Sequence, residues 1–190
     1  MLGEVERALR VCGPRASLLD VGTGLGDVPA GARRLARRRG VALTTVGLDL
    51  AEELAREVAR TGPALCGDAF RLPFADRSVD VVTCSQLLHH FAEAEVRTLL
   101  VELNRVARRR VVIGELRRSW VAASGFWLAS WPLAFHPVTR HDGVLSVLRG
   151  FTAGELRALV RSSVGQAAVV RRRAGWRLTA AWTPRAEAGP

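Results

Sequence analysis

The strongest chemical signal in the chain is one short stretch, Asp20-Val21-Gly22-Thr23-Gly24-Leu25-Gly26, which leads from an apolar run directly into a helical pattern. Glycines in such a turn let the backbone approach a ligand closely, and the free N–H groups at a helix start favour a carboxylate or phosphate. A dinucleotide fingerprint needs GxGxxG. Position 27 is Asp, and the spacing is GxGxG behind an acid, which weakens a nicotinamide reading. Asp49 closes the next apolar run, about twenty residues beyond the last glycine, where a carboxylate can accept both hydroxyls of a ribose. Gly67-Asp68-Ala69 follows a third apolar run, and Asp68 is there either a turn residue or a partner for an adenine amino group. Taken together, these acids and glycines predict a nucleoside-binding site.

Two further positions could move protons. His89-His90-Phe91 follows the fourth strand, and His141-Asp142 lies beyond an aromatic segment. Either His89 or His141 would serve as a general base for a hydroxyl acceptor, and the plain alternative for each is a structural hydrogen bond. The four histidines lack paired spacing, and Cys12, Cys66 and Cys84 lack any CxxC pattern. Neither a metal site nor a disulfide framework is expected, and a reducing cytoplasm fits best.

The elements that must position these residues read as alternating strands and helices. Strands are predicted at Ser17–Gly22, Leu43–Leu50, Ala64–Cys66, Val79–Ser85 and Arg109–Leu116, with helices at Asp27–Arg39, Glu52–Arg60 and Ala92–Ala107. Thr152 and Glu155 form a capping box that starts a helix at Ala153, with Phe151 stapled on Leu156. Gln166–Arg173 and Trp176–Trp182, separated by Ala174-Gly175, make a final hairpin at the edge of an otherwise parallel sheet. The 190 residues, 48% hydrophobic and 24% charged, are enough for one core and too apolar for disorder. A single domain over 1–190 is expected, with a short amphipathic N-terminal helix in 1–16, an insertion at 117–150 and a frayed tail at 184–190.

A net charge of +10 invites a nucleic-acid reading. The chain contains no Lys and no Tyr, one Asn, one Ile and one Met. All of these use AT-rich codons, so the arginine excess reads as genomic base composition, and no nucleic-acid partner is expected. The N-terminal MLGEVERALRVCG lacks the apolar core of a signal peptide. Ser119–Thr139 carries no formal charge with its histidine neutral and holds Trp120, Phe126, Trp127, Trp131 and Phe135. Interrupted at Gly125 and Pro132, it reads as a substrate-covering lid in which Trp120, Trp127 and Trp131 line an acceptor pocket, with an interfacial membrane contact as the alternative and no stable insertion.

DVGTGLGDVP, GLDL and GDAFRLPFADRSVDVVTCSQLLHHF together resemble a class I S-adenosylmethionine-dependent methyltransferase of the small-molecule type, over about Ser17 to Trp182. The resemblance implies a Rossmann-like, doubly wound, mostly parallel seven-stranded α/β sheet with an antiparallel last strand and helices on both faces. It further implies S-adenosyl-L-methionine as cofactor. Asp20 and the Gly22, Thr23, Gly24 and Gly26 turn match the part around its methionine, Asp49 with Leu50 the ribose site, Asp68 and Ala69 the adenine contacts, and Cys84, Ser85 and Gln86 the loop flanking the sulfonium. His89-His90-Phe91 resembles the catalytic His-x-aromatic setting of related aromatic O-methyltransferases. ELRRS and VTRHDGVLSVLRGFTAGELRAL resemble bacterial enzymes of polyketide, quinone-like or other secondary metabolism. The implied acceptor is small and aromatic, methylated on oxygen or carbon. Such proteins usually carry several helices before the first strand, where about fifteen residues stand here. A more open pocket, closure by a homodimer mate or partner chain, or a truncated start would each account for that. A nucleic-acid methyltransferase is disfavoured, because Cys84-Ser85-Gln86-Leu87 stands where an Asn or Asp, two prolines and an aromatic would be, and no Pro-Cys nucleophile is present. A non-catalytic cofactor-binding subunit and a nicotinamide dehydrogenase complete the alternatives.

Overall fold

The structure is a computed structural model that describes residues 1–185. Seven strands form one sheet: β1 (Arg15–Val21), β2 (Ala42–Asp49), β3 (Ala64–Cys66), β4 (Val79–Ser85), β5 (Ala107–Leu116), β6 (Val169–Arg173) and β7 (Arg177–Trp182). Their order across the sheet is β3-β2-β1-β4-β5-β7-β6. All run parallel except β7, which is antiparallel to both of its neighbours. The central strands are buried on both faces, which is why LLDV and VVTC read as apolar runs broken only by the mutually bonded Asp20 and Thr83 rather than as alternation.

Register brings the motifs together. Val21 pairs with Leu48 on one side and Cys84 on the other, while Asp49 pairs with Cys66. The glycine turn, Asp49, Gly67-Asp68 and Ser85-Gln86 therefore all leave the sheet at its carboxyl edge. That edge is also where strand order reverses about β1, the crevice in which open α/β sheets bind ligands.

Helices cover both faces. On one, α1 (Leu2–Leu9) and α2 (Asp27–Arg38) bury Val5, Leu9, Ala32 and Ala36 against Leu18, Val81 and Val112. On the other, α4 (Glu93–Val106) and α7 (Ala153–Val164) bury Val96, Leu99, Leu100, Leu103, Leu156 and Val160. The helix α3 (Glu52–Ala59) packs beside β2 and β3. Thr152 accepts from the Glu155 N–H while Glu155 accepts from the Thr152 N–H, so the capping box forms as expected. Buried Glu4, paired within α1 to Arg7, ties the helix to the hairpin through Arg171 and Arg173.

Three boundaries differ from the sequence reading. β5 starts at Ala107, directly after α4, and β6 starts only at Val169, leaving Gln166–Ala168 outside the sheet. The aromatic segment becomes two helices, α5 (Trp120–Ser130) and α6 (Pro137–Arg149). Gly125 lies within α5 without breaking it, whereas the chain turns at Trp131–Ala134 around Pro132. A glycine keeps its N–H and only lowers helix propensity, while a proline removes a donor and clashes with the preceding turn. Of the tail expected to fray, Pro184 is buried and Arg185 exposed, and residues 186–190 lie outside the described residues.

Candidate active site

Asp20 is the next-to-last residue of β1 and lies inside the core, where its carboxylate accepts from Thr23 Oγ1 at 2.9 Å and Thr83 Oγ1 at 2.6 Å. Burial pushes its pKa up to about 6; the two hydroxyls oppose that rise, and the nearby charge of Asp49 adds to it. Asp20 is too buried to be a surface for ligand and instead fixes the turn through Thr23. At Gly22, φ is +67°, which strains any side chain, and an added Cβ would lie 2.9 Å from Leu87 Cδ2, so Leu87 would also have to shift. Gly24 also has positive φ, but an added Cβ there meets nothing within 4 Å. The turn is thus packed shut at Gly22 and open at Gly24.

Asp49 reaches across from β2. Its Oδ2 accepts from the Gly24 N–H at 2.9 Å and its Oδ1 from the Ala51 N–H at 3.1 Å. One carboxylate therefore links the turn after β1 to the start of α3, and it is half-buried, within reach of a ligand. Leu50 beside it is exposed. Asp68 is exposed and accepts from the Phe70 N–H at 2.8 Å, the turn geometry that was its structural alternative, with Ala69 half-buried next to it. Gln86 adopts φ +56° and donates its N–H to Gly114 O at 2.7 Å, which turns the chain off the end of β4. Ser85 is half-buried. Cys84 is fully buried, and burial holds its thiol well above the usual range, so it is a packing residue and no nucleophile.

The loop after β4 carries the second half of the site. Leu87 packs on Gly22, and the 3₁₀ turn Leu88–His90 follows at once. His89 Nδ1 lies 2.8 Å from Glu115 Oε2, with only 4% of the His89 side chain exposed. Glu115 also accepts from the Leu88 and Leu116 N–H groups at 2.7 and 3.1 Å. With the imidazole these amides take three of its four lone-pair sites, so the carboxylate is fixed and in turn orients the ring, whose Nδ1 faces it while Nε2 remains uncommitted. Among the described residues Nε2 has no hydrogen-bond partner. His89 lines a cleft of about 570 Å³, together with Phe91, Arg97, Arg118, Arg149 and Phe151 among others.

Sequence reasoning missed Glu115, although a lone acid near the end of the apolar strand VVIGEL was a signal that it needs a partner. His141 is exposed on α6 and does not line the cleft. Nor do Trp120, Trp127 and Trp131, which stand exposed on or just beyond α5. The insertion 117–150 does contribute to the cleft, through Arg118, Arg149 and Gly150, and α6 packs against the 3₁₀ turn that holds His89.

Residues 19–113, half of the chain, match the methyltransferase domain family. Demethylmenaquinone methyltransferase of Thermotoga maritima is 36% identical over 124 residues, which cover 60% of this chain and 52% of that protein. The chain thus matches about half the length of that relative. Among solved structures, an S-adenosylmethionine-dependent methyltransferase of Aquifex aeolicus superposes with a TM-score of 0.66 at 17% identity, covering 96% of this chain and 90% of that one. Magnesium protoporphyrin IX methyltransferase of Synechocystis PCC 6803, with bound SAH, gives 0.65 at 17% identity, with 97% and 82% covered. At such identities the structural likeness concerns the fold. The chain belongs to the class I S-adenosylmethionine-dependent methyltransferases, and S-adenosyl-L-methionine is its cofactor.

The residues present fit that cofactor. Two carboxylates, Asp20 and Asp49, lie close enough for one charge to perturb the other beside an open glycine turn. Asp49 offers a half-buried carboxylate acceptor for ribose hydroxyls, and buried Asp20 adds only a through-space charge, which suits a nucleoside whose other end is cationic better than the pyrophosphate of a dinucleotide.

Proposed function

We propose that this protein transfers the methyl group of S-adenosyl-L-methionine to a small aromatic acceptor of the polyketide- or quinone-like kind, on oxygen or carbon. The supporting observation is the loop Leu87–His89, in which Leu87 packs on Gly22 and His89, two residues on, pairs with Glu115 and lines the cleft. Asp49, Leu50, Asp68 and Ala69 would hold the nucleoside, while the Gly22–Gly26 turn and Ser85-Gln86 would frame the methionine end. The bound cofactor supplies a methyl group already activated on a sulfonium. The chain then has to align the acceptor and exclude water, and for a hydroxyl acceptor His89 Nε2 takes the proton. The insertion 117–150 covers the acceptor side through Arg149 and Gly150. The quinone-like class draws support from the Thermotoga relative's name. The cytoplasm is the proposed compartment.

The test is an intact-mass screen of phenolic and quinone-like acceptors with S-adenosylmethionine, alongside calorimetry with S-adenosylmethionine and NAD. The expected result is a product one methyl heavier, with cofactor binding confined to the methyl donor and its demethylated form. Binding of NAD without binding of S-adenosylmethionine would sink the reading. Asp49→Ala is expected to weaken S-adenosylmethionine binding by about 1.5–3 kcal/mol, because it removes hydrogen bonds to a charged acceptor. It also releases the Gly24 and Ala51 amides from their shared partner. A dissociation constant unchanged from the parent protein removes Asp49 from the site.

A further inference from the structure

We propose that the exposed face of α5 docks this protein on an anionic lipid surface. The helix has no charged residue and is apolar on every side, a composition normally found in a core or a membrane. Here it is neither. Trp120, Trp127 and Trp131 recur at seven- and four-residue spacing, which places all three on one stripe, and they are 74%, 46% and 56% exposed. Val121 and Leu128 widen the stripe on one side, and Leu133 and Val138 extend the apolar surface into the turn and α6. The buried side of α5 is supplied only by Ala123 and Ser130, while α6 buries no residue. This hairpin therefore shows water most of its large apolar side chains.

Local geometry holds the patch in order. Trp127 and Trp131 meet edge to face with ring centroids 5.8 Å apart, and the Arg140 guanidinium lies 3.9 Å over the Trp131 ring. Arg140 also donates to Ser130 Oγ and to Phe135 O, which fixes it at the corner between the helices. Tryptophan sits well at the boundary of headgroup and acyl chain because the ring is apolar and its N–H is wet. At eleven residues, α5 is only about 16 Å long, about half of a hydrocarbon core, so it lies in the interface rather than crossing it.

Charge selects the occupant. Residues 117–149 contain four arginines, Arg117, Arg118, Arg140 and Arg149, against Asp142 within the segment and Glu155, which pairs with Arg118, just beyond it, and the whole chain carries +10. A second copy would bring the same cationic rim against itself, whereas anionic headgroups attract it.

The experiment uses the full chain with vesicles of phosphatidylglycerol and phosphatidylcholine, or of phosphatidylcholine alone, read by cosedimentation and tryptophan emission. Binding and a blue shift are expected with the anionic vesicles only, weakening as salt rises. Trp127→Ser with Trp131→Ser should weaken that binding about tenfold or more, since each buried ring contributes a kilocalorie-scale transfer term. The double variant should still unfold in one cooperative transition, only modestly below the parent, because it loses the Trp127–Trp131 and Arg140 contacts on half-exposed rings and nothing in the core. Failure of the parent to bind anionic vesicles overturns the proposal, as does equal binding to neutral ones or unchanged binding of the double variant. A dimer in sedimentation velocity that the double variant dissociates overturns it in favour of a second copy. None of these readouts involves the methyl donor, so the outcome is independent of the proposed catalytic function.

Discussion

Replacing His89 is expected to lower kcat for a phenolic acceptor by about 10²–10⁴-fold, or roughly 3–5 kcal/mol of barrier, with little change in cofactor affinity. The expectation follows from the way the ring is held. Its Nδ1 is committed to Glu115, and that carboxylate already accepts two backbone amides, so the ring nitrogen left uncommitted is Nε2, on a residue that lines the cleft. Removing the ring altogether, as in His89→Ala, also leaves a buried carboxylate short of one partner and lowers stability. His89→Gln separates the two effects. Its amide nitrogen can still donate to Glu115 while supplying no base, so this variant should melt near the parent and lose the same rate. Single-turnover kinetics with a phenolic acceptor, with and without added imidazole, provide the check. Partial rescue of His89→Ala by imidazole is expected. A rate for His89→Gln within about twofold of the parent would reduce the His89–Glu115 pair to a structural one.

Much of this arrangement was legible in the sequence because it depends on local chemistry. Each parallel strand is buried on both faces and so appears as an apolar run, and the residues that end those runs share one edge by register. Asp20, Asp49, Asp68 and Gln86 could therefore be placed near one another without coordinates. Two features could not. The His89–Glu115 pair joins residues 26 apart whose meeting depends on β4 and β5 being neighbours and on the abrupt turn at Gln86. The exposure of the tryptophan stripe was hidden for a different reason. Periodicity indicates which side chains share a face, but an uncharged apolar helix gives no sign of which face the protein covers. The three tryptophans thus stand outward, and the insertion reaches the cleft only through Arg118, Arg149 and Gly150, the rest of the lining coming largely from α4, α7 and the loop after β4.

The remaining large effect concerns Asp20, and its sign is opposite to that of the other perturbed acids. Burial holds the folded-state pKa at about 6, against an ordinary value of 3.8. Below pH ~4 the carboxyl is protonated in both the folded and the unfolded chain and contributes no penalty. Between about 4 and 6 the unfolded chain gives up its proton while the folded one keeps it, so stability falls as pH rises, by about 3 kcal/mol in total. Asp80, Glu102 and Glu155, each held low by arginine or backbone donors, contribute in the other direction, with stability lost as pH drops. The net curve mixes these slopes, so the informative quantity is the difference between Asp20→Asn and the parent. An amide keeps the size and can still accept from Thr83 or Thr23, while it removes the titration. The variant's stability relative to the parent should therefore grow by about 3 kcal/mol between pH 4 and 7 in urea unfolding without cofactor. A difference that stays flat across that range would mean that Asp20 ionises as freely folded as unfolded. In the cofactor-bound protein the trend should weaken or reverse, because a cationic ligand beside the turn favours the ionised carboxylate that burial opposes. Asp20 would then be a group whose charge is unfavourable in the empty fold and offset when the ligand arrives, so cofactor affinity should rise with pH through about 6 in the parent and not in Asp20→Asn.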